Sequence, residues 1–261
     1  MKQSPLSNQC IEVMLGTLLG DSSLTIQKGY KTPRLSFRHS TIQESYFLWK
    51  MAALKEIASD KCYWVQGDQV NRDGMGISKL RFQSKALNDL LPIYTLITKR
   101  GKKQVTRKWL NKLTPLSLAI WWCDDGSLIS NTRKGVLCTD GYSYEELKII
   151  QKYFRVVWGI ETKISTTSKP NLSDKRYYRL YFFSAMELEK FLKVIVPYVP
   201  VKEMLYKVLM LYKDADLQQR WISEVSQNST FDLDTVTQVV MDRKTKLKGF
   251  ATENDIVRSH Q

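Results

Sequence analysis

The stretch that decides the fold is residues 116–128, which read LSLAIWWCDDGSL. Its apolar residues continue in a helical pattern that stops abruptly at two carboxylates and a glycine. Residues 13–24, VMLGTLLGDSSL, repeat this pattern in the first half of the chain. Because the two runs align with Asp21 over Asp125, the sequence indicates a duplication in which an apolar helix ends at an acid.

The patterning outward from these runs predicts the same order of elements twice: helix, strand pair, helix, strand pair, helix. In the first half we expect helices at 11–20, 44–58 and 85–91, the last stopped by Pro92, and strands within 24–40 and 62–84. In the second half we expect strands within 127–140 and 161–184, and helices at 144–158, 186–195 and 201–212. The predicted fold class is therefore α+β.

The domain organisation follows from the duplication. We expect a first repeat at 1–98, a basic linker at 99–115 and a second repeat at 116–215. The sequence leaves two roles open for the linker: a solvated connection, or a segment that faces phosphates. Residues 216–261 have no counterpart in the first half and are predicted to be a weakly ordered extension, with one or two helices around Trp221 and Val236 and no assignable function.

The charge indicates a polyanionic partner. Forty Lys and Arg against 26 Asp and Glu give a net charge of +14, which favours nucleic acid over a basic protein without such a partner. The four cysteines show no paired ligand spacing, so we expect no zinc finger or disulfide framework and a reducing, intracellular compartment, either mitochondrial or bacterial cytoplasmic. No apolar run reaches the roughly 18 residues of a transmembrane helix, and no secretory signal is predicted, so no membrane partner is expected.

Small residues on the two motif helices predict that these helices pack against each other. Gly16 and Gly20 share one face of the first helix, and Ala119 and Cys123 occupy the matching places of the second. Each glycine costs a helix about 1 kcal/mol, which is reasonable where a second backbone must approach closely.

Such a pair brings Asp21 and Asp125 together at two helix C-termini. Two carboxylates there face each other and two negative dipole ends, and a divalent cation removes this conflict. Oxygen ligands select hard ions such as Mg²⁺, and metals held in this way can serve phosphodiester hydrolysis. The alternative is that each aspartate only begins a turn after its helix.

The predicted strands carry polar and basic side chains suited to DNA. A β-ribbon fits the major groove, where Arg and Lys pair with guanine and Gln or Asn with adenine. The alternative for any one of them is the solvated face of a sheet. The candidates are Gln27, Lys28, Tyr30, Lys31, Arg34, Ser36, Arg38, Lys79, Arg81 and Gln83 in the first half, and Lys163, Ser165, Thr167, Lys175, Arg176, Tyr178 and Arg179 in the second.

Residues 14–22 and 118–126 resemble the two motifs of a single-chain LAGLIDADG homing endonuclease, with the acid in the same place of each. The resemblance extends over about residues 11–212. Further landmarks similar to the monomeric mitochondrial-intron enzymes are Leu113-Thr114-Pro115, Val199-Pro200 and Met204-Leu205-Tyr206-Lys207. Ser22 departs from the pattern, which usually has glycine there.

The resemblance implies two pseudosymmetric αββαββα repeats. Their antiparallel sheets would form a DNA-binding saddle, with the motif helices packed at the pseudo-twofold axis. It implies a monomer that uses Mg²⁺ or Mn²⁺ to cleave both strands of a long DNA target and leaves 3′ overhangs.

The resemblance also implies roles for individual residues. Asp21 and Asp125 would bind the metal, assisted by the backbone carbonyls of Gly20 and Asp124. Basic groups near the scissile phosphates would be Lys103, or its neighbour Lys102, and Lys207, which would stabilise charge in the transition state or orient water.

Two other functions stay open at this stage. Some members of this family assist intron folding, so an RNA-binding splicing cofactor, or maturase, that binds intron RNA is the second hypothesis. A basic DNA-binding regulator without catalysis is the third. A nuclease of the HNH type is disfavoured, because the chain contains only His39 and His260.

Overall fold

The computed structural model describes residues 6–67, 78–129, 133–166, 177–247 and 250. The chain divides into two compact units, Met1–Asp124 and Asp125–Gln261. Each unit contains a four-stranded antiparallel sheet with the same strand order. Across the sheet the strands are Ser23–Thr25, Arg34–Ser40, Lys79–Gln83 and Tyr63–Gln66 in unit 1, and Gly126–Ile129, Lys134–Leu137, Tyr178–Phe182 and Lys163–Thr166 in unit 2. The predicted α+β class, with antiparallel sheets and two repeated halves, is confirmed. The finer domain boundaries near residues 98, 115 and 215 stay a prediction.

Unit 1 follows the predicted order of elements. These are α1 (Asn8–Leu19), β1 (Ser23–Thr25), β2 (Arg34–Ser40), α2 (Glu44–Ala53), β3 (Tyr63–Gln66), β4 (Lys79–Gln83), α3 (Leu91–Ile97), the short strands β5 (Thr98–Lys99) and β6 (Lys102–Lys103), α4 (Arg107–Leu110) and α5 (Pro115–Asp125). Short 3₁₀ helices lie at Thr41–Gln43, Lys55–Ile57 and Asn88–Leu90. The last residue of α5 is the first of unit 2.

The sheet of unit 1 has one apolar and one polar face. Strand β2 alternates buried and partly exposed residues, and its buried Phe37 stacks on Phe82 of β4 with ring centroids 4.8 Å apart. Phe47 of α2 packs on the same face, 5.3 Å from the Phe37 ring. Because side chains alternate along a strand, Arg38 and Arg81, which are register partners, lie on the opposite, polar face.

Unit 2 repeats this arrangement and adds two helices. Its elements are β7 (Gly126–Ile129), β8 (Lys134–Leu137), α6 (Tyr144–Trp158), β9 (Lys163–Thr166), β10 (Tyr178–Phe182), α7 (Ala185–Ile195), 3₁₀ helices at Val196–Tyr198 and Lys202–Lys207, α8 (Ala215–Asn228) and α9 (Leu233–Thr245). The core contains Phe154 of α6, Phe182 of β10 and Phe191 of α7, and the last two rings stack at 4.8 Å.

Helix α6 matches its predicted bounds because both ends are encoded locally. Ser143 accepts a hydrogen bond from the Glu146 amide, and the Glu146 carboxylate accepts one from the Ser143 amide. Gly159 ends the helix with φ +65°, a conformation that glycine adopts without steric strain.

Two predicted helices are wrong. The helix expected at 85–91 is instead α3, which begins at Leu91 and carries Pro92 in its first turn. Proline is tolerated there because the first amide groups of a helix have no intrahelical acceptor. The helix expected at 201–212 is a 3₁₀ helix that ends at Lys207, followed by residues without regular structure.

The prediction of a weakly ordered C-terminal extension is also wrong for residues 215–245. These residues form α8 and α9, which correspond to the helices expected around Trp221 and Val236. Trp221, Val236 and Val240 are completely buried. The extension is thus part of the folded core of unit 2.

None of the helices in the described part of the chain has the length and apolar character needed to cross a membrane.

Candidate active site

Helices α1 and α5 approach each other as closely as the sequence predicted. A Cβ atom on Gly16 would lie 2.3 Å from the carbonyl oxygen of Ser117, and one on Gly20 would lie 2.5 Å from the Cβ of Asp124. Ser117 also donates a hydrogen bond from its Oγ to the carbonyl of Glu12, at 2.9 Å. Gly16 is therefore required by contact with the α5 backbone and Gly20 by contact with the Asp124 side chain, and the C-terminal ends of the two helices lie side by side.

The acids at these ends have opposite environments. The side chain of Asp21, just after the C-cap Gly20, is 38% exposed. The side chain of Asp124 is completely buried, and its Oδ2 accepts a hydrogen bond from the Asp21 amide at 3.3 Å. Of these two acids, Asp21 is consequently the one whose carboxylate solvent or a ligand can reach.

The buried Asp124 carboxylate is fully occupied by partners from α1 and α2. The Lys50 ammonium donates to Oδ1 at 2.6 Å, and the Tyr46 hydroxyl donates to the same oxygen at 2.8 Å. The Thr17 hydroxyl donates to Oδ2 at 2.7 Å. Lys50 is itself completely buried, so the pair is a buried salt bridge supported by hydrogen bonds.

This pairing sets the charge states in the interior. Burial alone would raise the pKa of Asp124, but the Lys50 ammonium, His39 and the Thr17 hydroxyl together hold that pKa below its usual value. Burial, followed by the negative charge of Asp124, raises the pKa of Tyr46 well above its usual value. Asp124 is therefore ionised and Tyr46 is a neutral donor at neutral pH.

His39 connects the buried pair to Asp21. Its Nε2 lies 3.1 Å from the Lys50 ammonium, and its Nδ1 lies 3.6 Å from Oδ2 of Asp21. Because an ammonium group can only donate, Nε2 is the unprotonated nitrogen and Nδ1 carries the ring proton. His39 thus faces the Asp21 carboxylate with an N–H group.

The contacts of Asp21, His39 and Asp124 determine which of their side chains could bind a metal ion. Ligand atoms of Asp21, His39 and Asp124 all lie within 4.8 Å of one another. Lys50 already compensates the charge of Asp124, so the side chain of Asp124 is poorly suited to a further cation. Asp21 is the carboxylate of this group that is suited to one.

The sequence did not single out Lys50, Tyr46, Thr17 or His39 for the site. A signal was nonetheless present, because Lys50 lies three residues after Phe47 and four after Tyr46, on the face of α2 that is otherwise buried. A lysine on an apolar helix face requires a buried anion.

Asp21 borders a groove of about 470 Å³ on the polar face of the unit 1 sheet. Five predicted DNA-contacting residues are brought together there: Gln27, Ser36, Arg38, Arg81 and Gln83. Ser23 and Trp64, which the sequence did not single out, also line it. The Arg81 guanidinium lies 6.0 Å from the Trp64 ring centroid, and this ring is 42% exposed.

The other candidates in unit 1 are not among the residues that line this groove. Lys28, Tyr30 and Lys31 are in the connection between β1 and β2, Arg34 is at the start of β2, and Lys79 is at the start of β4. The Arg34 guanidinium stacks over the Tyr30 ring at 4.5 Å.

In unit 2, four of the seven candidates lie on described strands: Lys163 and Ser165 on β9, and Tyr178 and Arg179 on β10. Arg179 is paired with Asp140 through two hydrogen bonds, of 2.7 and 2.6 Å, which fix its guanidinium plane. Thr167, Lys175 and Arg176 lie outside the described residues.

The two candidate lysines lie in different units, Lys103 in unit 1 and Lys207 in unit 2. The Lys103 ammonium donates to the carbonyl of Leu18 in the last turn of α1, at 3.0 Å. Lys103 is held there by a hairpin whose turn residues, Arg100 and Gly101, have φ values of +52° and +75°. This hairpin lies within the predicted linker, which is therefore structured there.

Lys207 lies in unit 2, at the end of the 3₁₀ helix Lys202–Lys207. The 3₁₀ helix that it ends packs against β7, which directly follows Asp125. Burial, with the charges of Asp125 and Asp140, raises the pKa of the Cys138 thiol, and Arg179 and Lys207 act in the opposite direction. Asp125 and Lys207 therefore both lie within electrostatic reach of Cys138, whose amide donates to the Asp125 carbonyl at 2.9 Å.

Comparison with solved structures identifies a similar fold. The homing endonuclease I-WcaI bound to its DNA recognition sequence matches with a TM-score of 0.70 and 22% identity, over 79% of this chain and 88% of that one. At this identity the match shows the fold.

Curated relatives fall into three kinds. A protein RecA of Mycobacterium gastri is 29% identical over 218 residues, which is 78% of this chain and 48% of that protein. The cytochrome b mRNA maturase bI2 of Debaryomyces hansenii is 28% identical over 78% of this chain and 75% of its own length. The DNA endonuclease I-ChuI of Chlamydomonas applanata is 27% identical over 78% of this chain and 95% of its own length.

The chain spans about half the length of the RecA relatives that it matches. The sequence profile of the LAGLIDADG DNA endonuclease family matches residues 11–191, which include both motif helices and both sheets. By this match the chain belongs to the LAGLIDADG DNA endonuclease family.

Proposed function

We propose that this chain is a site-specific homing endonuclease that hydrolyses both strands of a long double-stranded DNA target with the help of a divalent metal. The observation that carries the proposal is the Asp21 carboxylate, which is exposed at the end of α1 and borders a groove with Arg38 and Arg81. Arginines attract a phosphodiester backbone, and a carboxylate among them can hold a metal against it.

The groove supplies the DNA contacts of unit 1 in this proposal. Arg38 and Arg81 are register partners on β2 and β4, and Ser36 and Gln83 are the next such pair on the same face. Bidentate Arg–guanine and Gln–adenine pairs are the contacts that these side chains can make in a major groove. The remaining candidates on the strands and connections would contact phosphates or the flanks of the target.

Asp21 and Asp125 are the proposed metal-binding acids, with the backbone carbonyls of Gly20 and Asp124 as further ligands. Carbonyl groups in the last turn of a helix have no intrahelical donor, which suits both to this task. Carboxylate and carbonyl oxygens fit a hard ion such as Mg²⁺ or Mn²⁺. When bound, the ion would activate water for attack and stabilise the leaving oxygen.

The protein groups proposed to assist hydrolysis are Lys103 and Lys207. An ammonium group near the scissile phosphate stabilises the negative charge that develops in the transition state. Lys103 lies beside the last turn of α1, and Lys207 ends the 3₁₀ helix that packs against β7, directly after Asp125. Because of the resemblance of the motifs, we also propose that the protein acts as a monomer and leaves 3′ overhangs.

The test is a selection of cleaved duplexes from a randomised DNA library with Mg²⁺, run in parallel with Asp21→Asn and Asp125→Asn. We expect the wild type to enrich one long site and either variant to lose cleavage at least about 100-fold. DNA affinity should stay within a few-fold, because the lost oxygen holds metal and does not contact bases. Removal of the metal with EDTA should abolish cleavage.

Arg155→Met is the control, since Arg155 is exposed in the last turn of α6. Full cleavage by both aspartate variants would disprove the proposed acids. No enriched site with any divalent metal would disprove the endonuclease.

A second candidate is an RNA-binding splicing cofactor. The relative named a cytochrome b mRNA maturase, aligned over three quarters of its length, favours it. Measuring the affinity of the protein for structured intron RNAs and for duplex DNA separates the two functions. Tight RNA binding by a wild type that enriches no duplex would support the cofactor in place of the nuclease.

A further inference from the structure

Residues 208–212, directly after Lys207, combine complete burial with irregular backbone. Val208, Leu209 and Met210 have no exposed surface, and Leu211 and Tyr212 are almost completely buried. None of the five lies in a helix or strand. Buried backbone N–H and C=O groups require hydrogen-bond partners, and this segment cannot supply them through regular structure.

The Val208 and Leu209 amides donate to the carbonyl of Leu205, and side chains of the C-terminal helices supply further partners. The indole N–H of Trp221 donates to the carbonyl of Val208 at 3.2 Å. The amide of Gln218 donates to the carbonyl of Met210 at 3.3 Å and accepts from the Tyr212 amide at 2.9 Å. Helix α8 therefore binds the backbone of the segment at three points.

Helix α9 adds the shortest of these contacts. The Arg243 guanidinium donates to the carbonyl of Leu209 at 2.6 Å. Arg243 follows Val236 and Val240, both completely buried, at a spacing that puts all three on one face of α9. That face packs against the 3₁₀ helix that ends at Lys207.

We propose that α8 and α9 are a positioning element for Lys207, and that Arg243 fixes this lysine through the carbonyl of Leu209. The inference rests on the proposed function, in which Lys207 acts at a scissile phosphate. Arg243 is a positioning residue and is not expected to contact DNA. The C-terminal extension thus contributes to hydrolysis by positioning Lys207.

The experiment compares Arg243→Met with Arg243→Lys and Arg155→Met. Arg155 is the control, because it is an exposed arginine on α6 of the same unit and lies outside α8 and α9. For each folded variant the dissociation constant for the selected target and the single-turnover cleavage rate are measured separately.

We expect Arg243→Met to slow single-turnover cleavage about 10- to 100-fold, the range that small misplacements of catalytic groups produce. The dissociation constant should change less than about two-fold, Arg243→Lys should recover part of the rate, and Arg155→Met should match the wild type. A purely structural role would lower the folded fraction and leave the rate per folded molecule unchanged.

A second measurement needs no cleavage. Amine acetylation followed by peptide mass spectrometry compares the buried Lys207 with the exposed Lys202 at the start of the same 3₁₀ helix. Arg243→Met should raise the labelling rate of Lys207 at least several-fold and leave Lys202 unchanged.

An unchanged labelling rate at Lys207 in folded Arg243→Met would overturn the positioning role, whatever the cleavage result. If the wild type cleaves no duplex, the proposed function fails, and the labelling still decides whether the helices hold Lys207. Should Arg243→Met not fold, Gln218→Met takes its place, since it removes the contacts to Met210 and Tyr212.

Discussion

At the scale of single residues, unit 1 depends on the ammonium of Lys50. It is the cationic partner of the completely buried Asp124 carboxylate, at 2.6 Å. The removal of one member of a buried ion pair leaves the other charge uncompensated, which costs far more than the pair contributes as a whole.

Lys50→Met should therefore lower the free energy of unfolding by about 3–5 kcal/mol, as measured by urea denaturation. Lys55→Met, at an exposed position of the adjoining 3₁₀ helix, is the control and should change it by less than about 0.5 kcal/mol. The double variant Lys50→Met with Asp124→Asn should recover part of the loss. A loss below about 1 kcal/mol for Lys50→Met would contradict the buried pair.

The sequence predicted residues whose role is local and missed those that act through distant contacts. Gly16 and Gly20 were identified because a glycine inside an apolar helix requires an explanation. The pairing of Lys50 with Asp124 joins residues 74 positions apart, and only the packing of α2 on α5 brings them together. His39 was considered only for a histidine-based nuclease, and its position between Lys50 and Asp21 has no local signal.

At the scale of elements, the contact of α1 with α5 makes a clear prediction. In an ordinary helix, Gly→Ala stabilises by about 1 kcal/mol. At Gly16 the added carbon would lie 2.3 Å from the Ser117 carbonyl oxygen, so the helices would have to separate. We expect Gly16→Ala to lower the melting temperature and to destabilise by about 1–3 kcal/mol.

Gly141→Ala is the comparison, because a Cβ there meets no atom within 4 Å. It should leave the melting temperature nearly unchanged. Stabilisation by Gly16→Ala, as in an isolated helix, would mean that α1 and α5 are not in backbone contact.

Elements whose ends are encoded locally could be predicted from the sequence, and elements held by distant contacts could not. Helix α6 carries its own capping box and terminal glycine, so its bounds follow from its sequence. Residues 201–212 have a helical pattern of apolar residues, but side chains of α8 and α9 bind the backbone of residues 208–212. The apolar pattern there reflects burial on several sides, which periodicity alone does not separate from a helix.

At the scale of the whole molecule, the net charge of +14 has the most direct consequence. Basic side chains that neutralise phosphates release counterions from DNA, so affinity falls with salt in proportion to the number of such contacts. The groove places Arg38 and Arg81 beside Asp21, and these are the side chains whose contribution can be tested singly.

We expect the affinity for the selected target to fall about 10³-fold or more between 50 and 200 mM salt, because a long site engages six or more phosphates. Fluorescence anisotropy over a salt series gives the slope of log K against log salt. If Arg81 contacts a phosphate, Arg81→Gln should reduce this slope by about one; if it reads a base, the slope should stay and discrimination at one position of the target should weaken. Lys55→Gln is the control, because Lys55 lies outside the groove lining, and it should change neither the salt slope nor the discrimination. A flat salt response of the wild type would exclude phosphate binding by the basic face.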